Sequence, residues 1–184
     1  MAHGPDDWLS IGETAIEMDV TEVAVAALAA VVHAAPGERD YWFDYGRALL
    51  TDGQAGESLG WLRGSLALND DVDCWLLLAE AEVQAGETEA ALRTLWAVVT
   101  RWPADGQGWY QLAMTLRLAG RHGRAAWALA HYAKRAEGLP AGERAAILAP
   151  LAGLAGTIEY YDGAWQPQRY HRQVYWRPSR PTRR

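Results

Sequence analysis

Five histidines (His3, His33, His122, His131, His171), one cysteine (Cys74) and 23 acidic side chains are the groups in this 184-residue chain that could ligate a metal or move a proton. The histidines share no spacing, with one another or with the acids, that would gather ligands on one face. Cys74 sits beside Trp75 near a helix start, has no sequence-near His to activate it, and reads as a small packing residue. It also excludes an intramolecular disulfide and any cysteine-based zinc cluster, so a reduced, cytoplasmic setting is expected. The glycines form no phosphate-cradling motif. Glu57, Glu87 and Glu89 follow glycine turns, where an acid favours a helix N-terminus and needs no active site. No enzyme, cofactor or metal site is expected.

The residues that could do binding chemistry lie at the end of the sequence. From Arg169 to Arg184, arginine alternates with aromatic residues and proline: Arg169, Arg172, Tyr175, Trp176, Arg177 and Arg180 are the candidate contacts. Arg neutralises phosphate and aromatics stack on bases, which is one reading. An anionic membrane surface is a second. The third, favoured reading is docking on an acidic protein surface, in the same chain or a neighbour, and the remaining one is a disordered tail with no specific role. Nucleic acid is disfavoured because the rest of the chain would repel it.

That repulsion follows from how the charge is distributed. The total is −6, but the last acid is Asp162. Residues 1–162 hold 11 basic and 23 acidic groups, a net of −12, and six Arg give residues 163–184 a net of +6. Half of the residues are hydrophobic, too many for a disordered chain and enough for a sizeable core. No apolar run approaches the roughly 20 residues of a membrane span, and the acidic start lacks a signal-peptide core, so export is not expected.

The elements are set by a repeat. Trp8, Trp42, Trp75 and Trp109 are 34, 33 and 34 residues apart. Three residues after each come Ile11, Tyr45, Leu78 and Leu112, and four after come Gly12, Gly46, Ala79 and Ala113. Eleven after stand Asp19, Gly53, Gly86 and Gly120. Sixteen after are Ala24, Ser58, Ala91 and Ala125, and twenty after are Leu28, Leu62, Leu95 and Leu129. Trp and the residue three later share a helical face, and the small residue at +4 admits a second helix closely. Glycine ends the first helix. The small residue and Leu four apart define the facing helix, and Pro36 and Pro103 stop it. Each unit is a hairpin that must stack on its neighbours.

Trp-x-x-Leu-Gly/Ala, a turn Gly, and a later Ala…Leu then Pro make residues 5–138 resemble the tetratricopeptide repeat (TPR) family. The resemblance implies an all-α, TPR-like right-handed α-solenoid of four helix-turn-helix repeats, near 5–37, 38–70, 71–104 and 105–138. Helices are expected near 5–18, 21–34, 38–52, 55–68, 72–85, 88–101, 105–119 and 122–137. A capping helix over 141–160 completes a domain of 1–160, with a basic aromatic tail at 161–184. Ser58, Ser65 and Asp70 depart from the family pattern in the second unit. Trp61, Trp96 and Trp127 fall on second helices and are expected to pack between helices. Trp165 and Trp176 have no repeat column.

In TPR superhelices the first helix of each pair lines the concave groove, and its outward positions bind peptide. Carried onto this sequence, those positions are Asp6, Leu9, Glu13 and Glu17; Asp40, Phe43, Arg47 and Thr51; Asp73, Leu76, Glu80 and Gln84; and Gln107, Tyr110, Met114 and Leu118. Six acids and one Arg alternate with apolar footholds, a groove suited to a basic or amphipathic segment. The Lys, Arg and Asn with which some TPR domains clamp a terminal carboxylate are absent, apart from Arg47 and Arg117, so a chaperone-tail receptor is disfavoured. The expected role is a protein-interaction scaffold or adaptor. The alternatives are a secretion or assembly chaperone, similar to the TPR-type secretion chaperones of bacteria, and a structural subunit that self-assembles through its tail.

Overall fold

The computed structural model describes residues 4–68 and 70–134, with isolated positions 137, 140–142 and 145 beyond them. Eight helices occupy this stretch: α1 Pro5–Glu17, α2 Thr21–Ala34, α3 Arg39–Thr51, α4 Ala55–Leu68, α5 Val72–Gln84, α6 Thr88–Arg101, α7 Gly106–Leu118 and α8 His122–Lys134. Among the described residues the fold is all-helical, as the 3.6-residue pattern of each unit requires. The capping helix expected at 141–160 and the basic segment that follows lie outside the described residues, apart from positions 141, 142 and 145.

Every helix packs on its successor, so α1–α2, α3–α4, α5–α6 and α7–α8 form hairpins that stack in chain order. The odd helices also touch one another directly, α1 on α3, α3 on α5 and α5 on α7, which makes them the inner layer of the stack. Within each hairpin the repeat columns are the core. Leu28, Leu62, Leu95 and Leu129 are all buried, against Ala24, Ser58, Ala91 and Ala125 one turn earlier. A Cβ added at Gly46 would stand 2.9 Å from the Leu62 side chain, so the absence of a side chain there is what lets α4 close on α3.

The turns inside the hairpins share one construction. Asp19, Gly53, Gly86 and Gly120 hold φ of 58°, 79°, 80° and 71°. Beyond each, an N–H reaches back to the carbonyl five residues earlier: Val20 to Ala15, Gln54 to Leu49, Glu87 to Glu82 and Arg121 to Leu116, at 2.7–2.9 Å. These are Schellman closures, which satisfy orphan carbonyls at the helix end and need a left-handed residue. Two of the departures from the family pattern, Ser58 and Asp70, have hydrogen-bonding partners. The Ser58 hydroxyl donates to the Gly46 carbonyl at 2.7 Å, and Asp70 accepts from Trp75 Nε1 at 2.6 Å and pairs with Arg101. The second-helix tryptophans pack as expected: Trp61 lies edge-on to Trp42 and Tyr45, and Trp127 meets both Trp96 and Trp109.

Candidate peptide-binding face on the odd helices

Each odd helix turns its Trp and +3 stripe toward its partner, partly buried in the first two units and with Leu78, Trp109 and Leu112 buried in the last two. The positions two before and one, five and nine after the Trp therefore face away from the hairpin interior. Asp6, Glu13 and Glu17 on α1, Asp40 and Thr51 on α3, Asp73, Glu80 and Gln84 on α5, and Gln107 on α7 are exposed. Leu9, Phe43, Arg47, Tyr110 and Met114 are half-buried, and Leu118 is 63% exposed.

One position is corrected. Leu76 is only 7% exposed and belongs to the core cluster of Leu92, Leu95 and Leu112. Its neighbours in that cluster come from both α6 and α7, so the third hairpin offers acids here and no apolar foothold.

Arg47 is the one cation among the sixteen positions, and it is already engaged. Its guanidinium pairs with Asp44 at 2.8 Å and lies over the Phe43 ring, 5.8 Å from the centroid. Asp44 was not among the residues singled out from the family pattern. It sits two residues after the repeat Trp, where the other units carry Ser10, Leu77 and Gln111, and its side chain is only 15% exposed. The spacing Asp44–Arg47, i to i+3 on a helix, is the signal that could have found it. Burial raises the Asp44 carboxyl above the ordinary aspartate value; Arg47 opposes the rise, while Glu13 and Asp40 add to it. Glu13 on α1 and Asp40 on α3 thus both bear on Asp44, the first of them across the boundary between hairpins.

Among the described residues, no group of three or more His, Cys, Asp or Glu is placed to hold a metal ion. Cys74 is buried, with its thiol 3.6 Å from the Leu62 carbonyl. His131 is stacked on Trp109, ring centroids 4.4 Å apart, and set edge-on to Trp127. No described helix is long and apolar enough to cross a membrane. Arg169, Arg172, Tyr175, Trp176, Arg177 and Arg180 lie outside the described residues.

Comparison with solved structures places the fold among TPR proteins. The chain is similar to a structure titled MamA protein, at TM-score 0.65 and 16% identity, over 89% of this chain and 98% of that one. MamA 41-end from Desulfovibrio magneticus RS-1 matches at TM-score 0.64 and 15% identity, over 86% and 93%. PilW, titled a widely conserved type IV pilus biogenesis factor, matches at TM-score 0.68 and 21% identity, over 86% and 74%. No curated protein matches the chain. Two family profiles, both described as tetratricopeptide repeat, match residues 10–72 and 72–113, together more than half of the sequence. With its phased Trp, Gly and Leu columns realised as stacked hairpins, the chain belongs to the tetratricopeptide repeat family.

Proposed function

We propose that the protein is a non-catalytic interaction scaffold or adaptor, which holds a basic or amphipathic segment of another protein along its odd-helix face. One observation carries this reading: all six acids of that face, Asp6, Glu13, Glu17, Asp40, Asp73 and Glu80, are exposed, while its lone cation is paired with Asp44. A segment with Arg or Lys on one side would complement the charge. Its apolar side would rest on Leu9, Phe43, Tyr110, Met114 and Leu118. An assembly role is a specific form of the same reading, and the similarity to a pilus biogenesis factor favours it.

The test is a triple charge reversal, Glu13→Lys, Glu17→Lys and Glu80→Lys, in the full chain, with calorimetric titration of a synthetic Arg-rich amphipathic helix. Loss of at least tenfold in affinity, roughly 1.4 kcal/mol or more, is expected. Binding by the parent should also weaken steeply with salt. Unchanged affinity in the triple variant overturns the assignment of the face.

A further inference from the structure

The first hairpin has a face that its three successors keep covered. Six residues after the repeat Trp, Ala48, Ala81 and Thr115 are buried, because α3, α5 and α7 each lie against the second helix of the hairpin before. Thr14 holds the same position in α1 and is exposed. Around it, Ser10, Ile11, Ala15, Met18, Val20 and Val23 line a shallow recess. Met18, Val20 and Val23 are 69%, 42% and 46% exposed, and they are three of the five large hydrophobic residues exposed in the described part of the chain. Exposed Glu17, Asp19 and Glu22 alternate with them in sequence. The surface that a preceding hairpin covers in the later units is thus open in the first. Its chemistry asks for an apolar occupant with positive charge at its edges.

We propose that the occupant is the chain's own segment 163–184, folded back in the same molecule onto the α1–α2 end face. The segment combines what the face needs: Trp165, Tyr170, Val174, Tyr175 and Trp176 as apolar groups, and six Arg with no acid among them. A second copy docking through the same face would instead set Glu17, Asp19 and Glu22 against their own like charges. The chain can reach. Lys134 ends α8, and 28 residues separate it from Gly163. They span about 40 Å at helical rise and about 90 Å fully extended, against three to four helix spacings of about 8–10 Å each. Tethering also raises the local concentration of the segment far above that of a free peptide. The odd-helix face competes less well for these aromatics, because apart from Leu118 its footholds are already half-covered. Phe43 lies beneath Arg47, and Tyr110 packs on Tyr132 at 5.5 Å.

Disulfide trapping in the full chain tests this, with the apolar and aromatic residues left in place. Ser10→Cys/Gln173→Cys places one thiol in the recess and one in the segment; Gln84→Cys/Gln173→Cys puts the first thiol on the odd-helix face instead. Cys74 is buried and stays. Under mild oxidation at low micromolar concentration, the recess pair should close within a monomer at least tenfold faster than the comparator. About 1 M salt, where the Debye length falls to about 3 Å, should slow it. Circular dichroism confirms that both variants are folded. Faster closure of the comparator would put the segment on the odd-helix face and overturn the proposal. Dimers linked between chains would make a second copy the occupant, which also overturns it. So does failure of both pairs to close. Glu17 borders both surfaces, so the odd-helix face is judged separately by Glu13→Lys/Glu80→Lys, which leaves the acids beside the recess in place and reads affinity for an added peptide.

Discussion

Glu82 shows most clearly how a single side chain can be decided by partners that its own helix does not contain. It is 4% exposed, inside a hairpin core, with Thr94 donating to it at 2.7 Å and Arg63 at 3.2 Å. Thr94→Val keeps the shape and removes the donor, leaving a buried carboxylate oxygen unpaired. The expected cost is about 1–2 kcal/mol in urea denaturation, and a neutral result would mean that Arg63 alone satisfies the group. None of this was legible in the sequence: at the same repeat position the other units carry Ala15, Leu49 and Leu116, so a lone Glu there reads as surface. His131 gives a second prediction. Burial lowers its pKa below the ordinary 6.5, and Lys134 lowers it further. A base whose folded pKa is depressed favours folding in its neutral form. Its contribution is therefore complete above pH 6.5 and is lost as pH falls below that value through the depressed pKa. His131→Phe keeps an aromatic against Trp109 and does not titrate, so its thermal midpoint should fall less than the parent's between pH 7.5 and 5. Parallel curves would show that His131 is not the group responsible.

At the scale of elements, helix positions were readable to within about three residues because two independent signals coincide, the 3.6-residue apolar stripe and a terminating glycine. What the stripe could not show is which outward positions a neighbouring helix covers. Leu76 has the same spacing as Leu9 and Phe43, yet it joins a core cluster with Leu92 and Leu95 of α6 and Trp109 and Leu112 of α7. The turns make a prediction of opposite signs at one structural position. Asp19 has φ 58°, which costs an L residue about 1 kcal/mol that glycine avoids. Asp19→Gly should therefore stabilise by roughly 0.5–1 kcal/mol, while Gly86→Ala should destabilise by about 1 kcal/mol. Denaturant midpoints for the two variants check this. The same sign for both would mean that the left-handed conformation does not decide the turn.

The whole molecule is a stack in which each hairpin contacts only its neighbours, so its stability should divide along the chain rather than hold as one block. The described core falls into three clusters, and the largest joins α5 to α8 through Leu95, Leu112, Leu116 and Leu129. The smallest belongs to the first hairpin and its junction with α3: Ala15, Ala24, Leu28 and Ala48. Three of its four members are alanine, which buries little apolar surface per residue, so Leu28 is the one large side chain among the four, with Leu9, Ile16, Val25 and Tyr45 packed partly buried against it. Leu28→Ala should cost about 2–5 kcal/mol locally, a range set by how well the site can collapse. In a solenoid the loss should stay local. Hydrogen exchange in the variant should accelerate through α1 and α2, spread partly to α3, and leave the amides of α6 and α7 near their parental protection. A uniform drop from α1 to α8 would show instead that the hairpins unfold as one cooperative unit. The acidic face would then act as a rigid strip and not as a series of separable footholds.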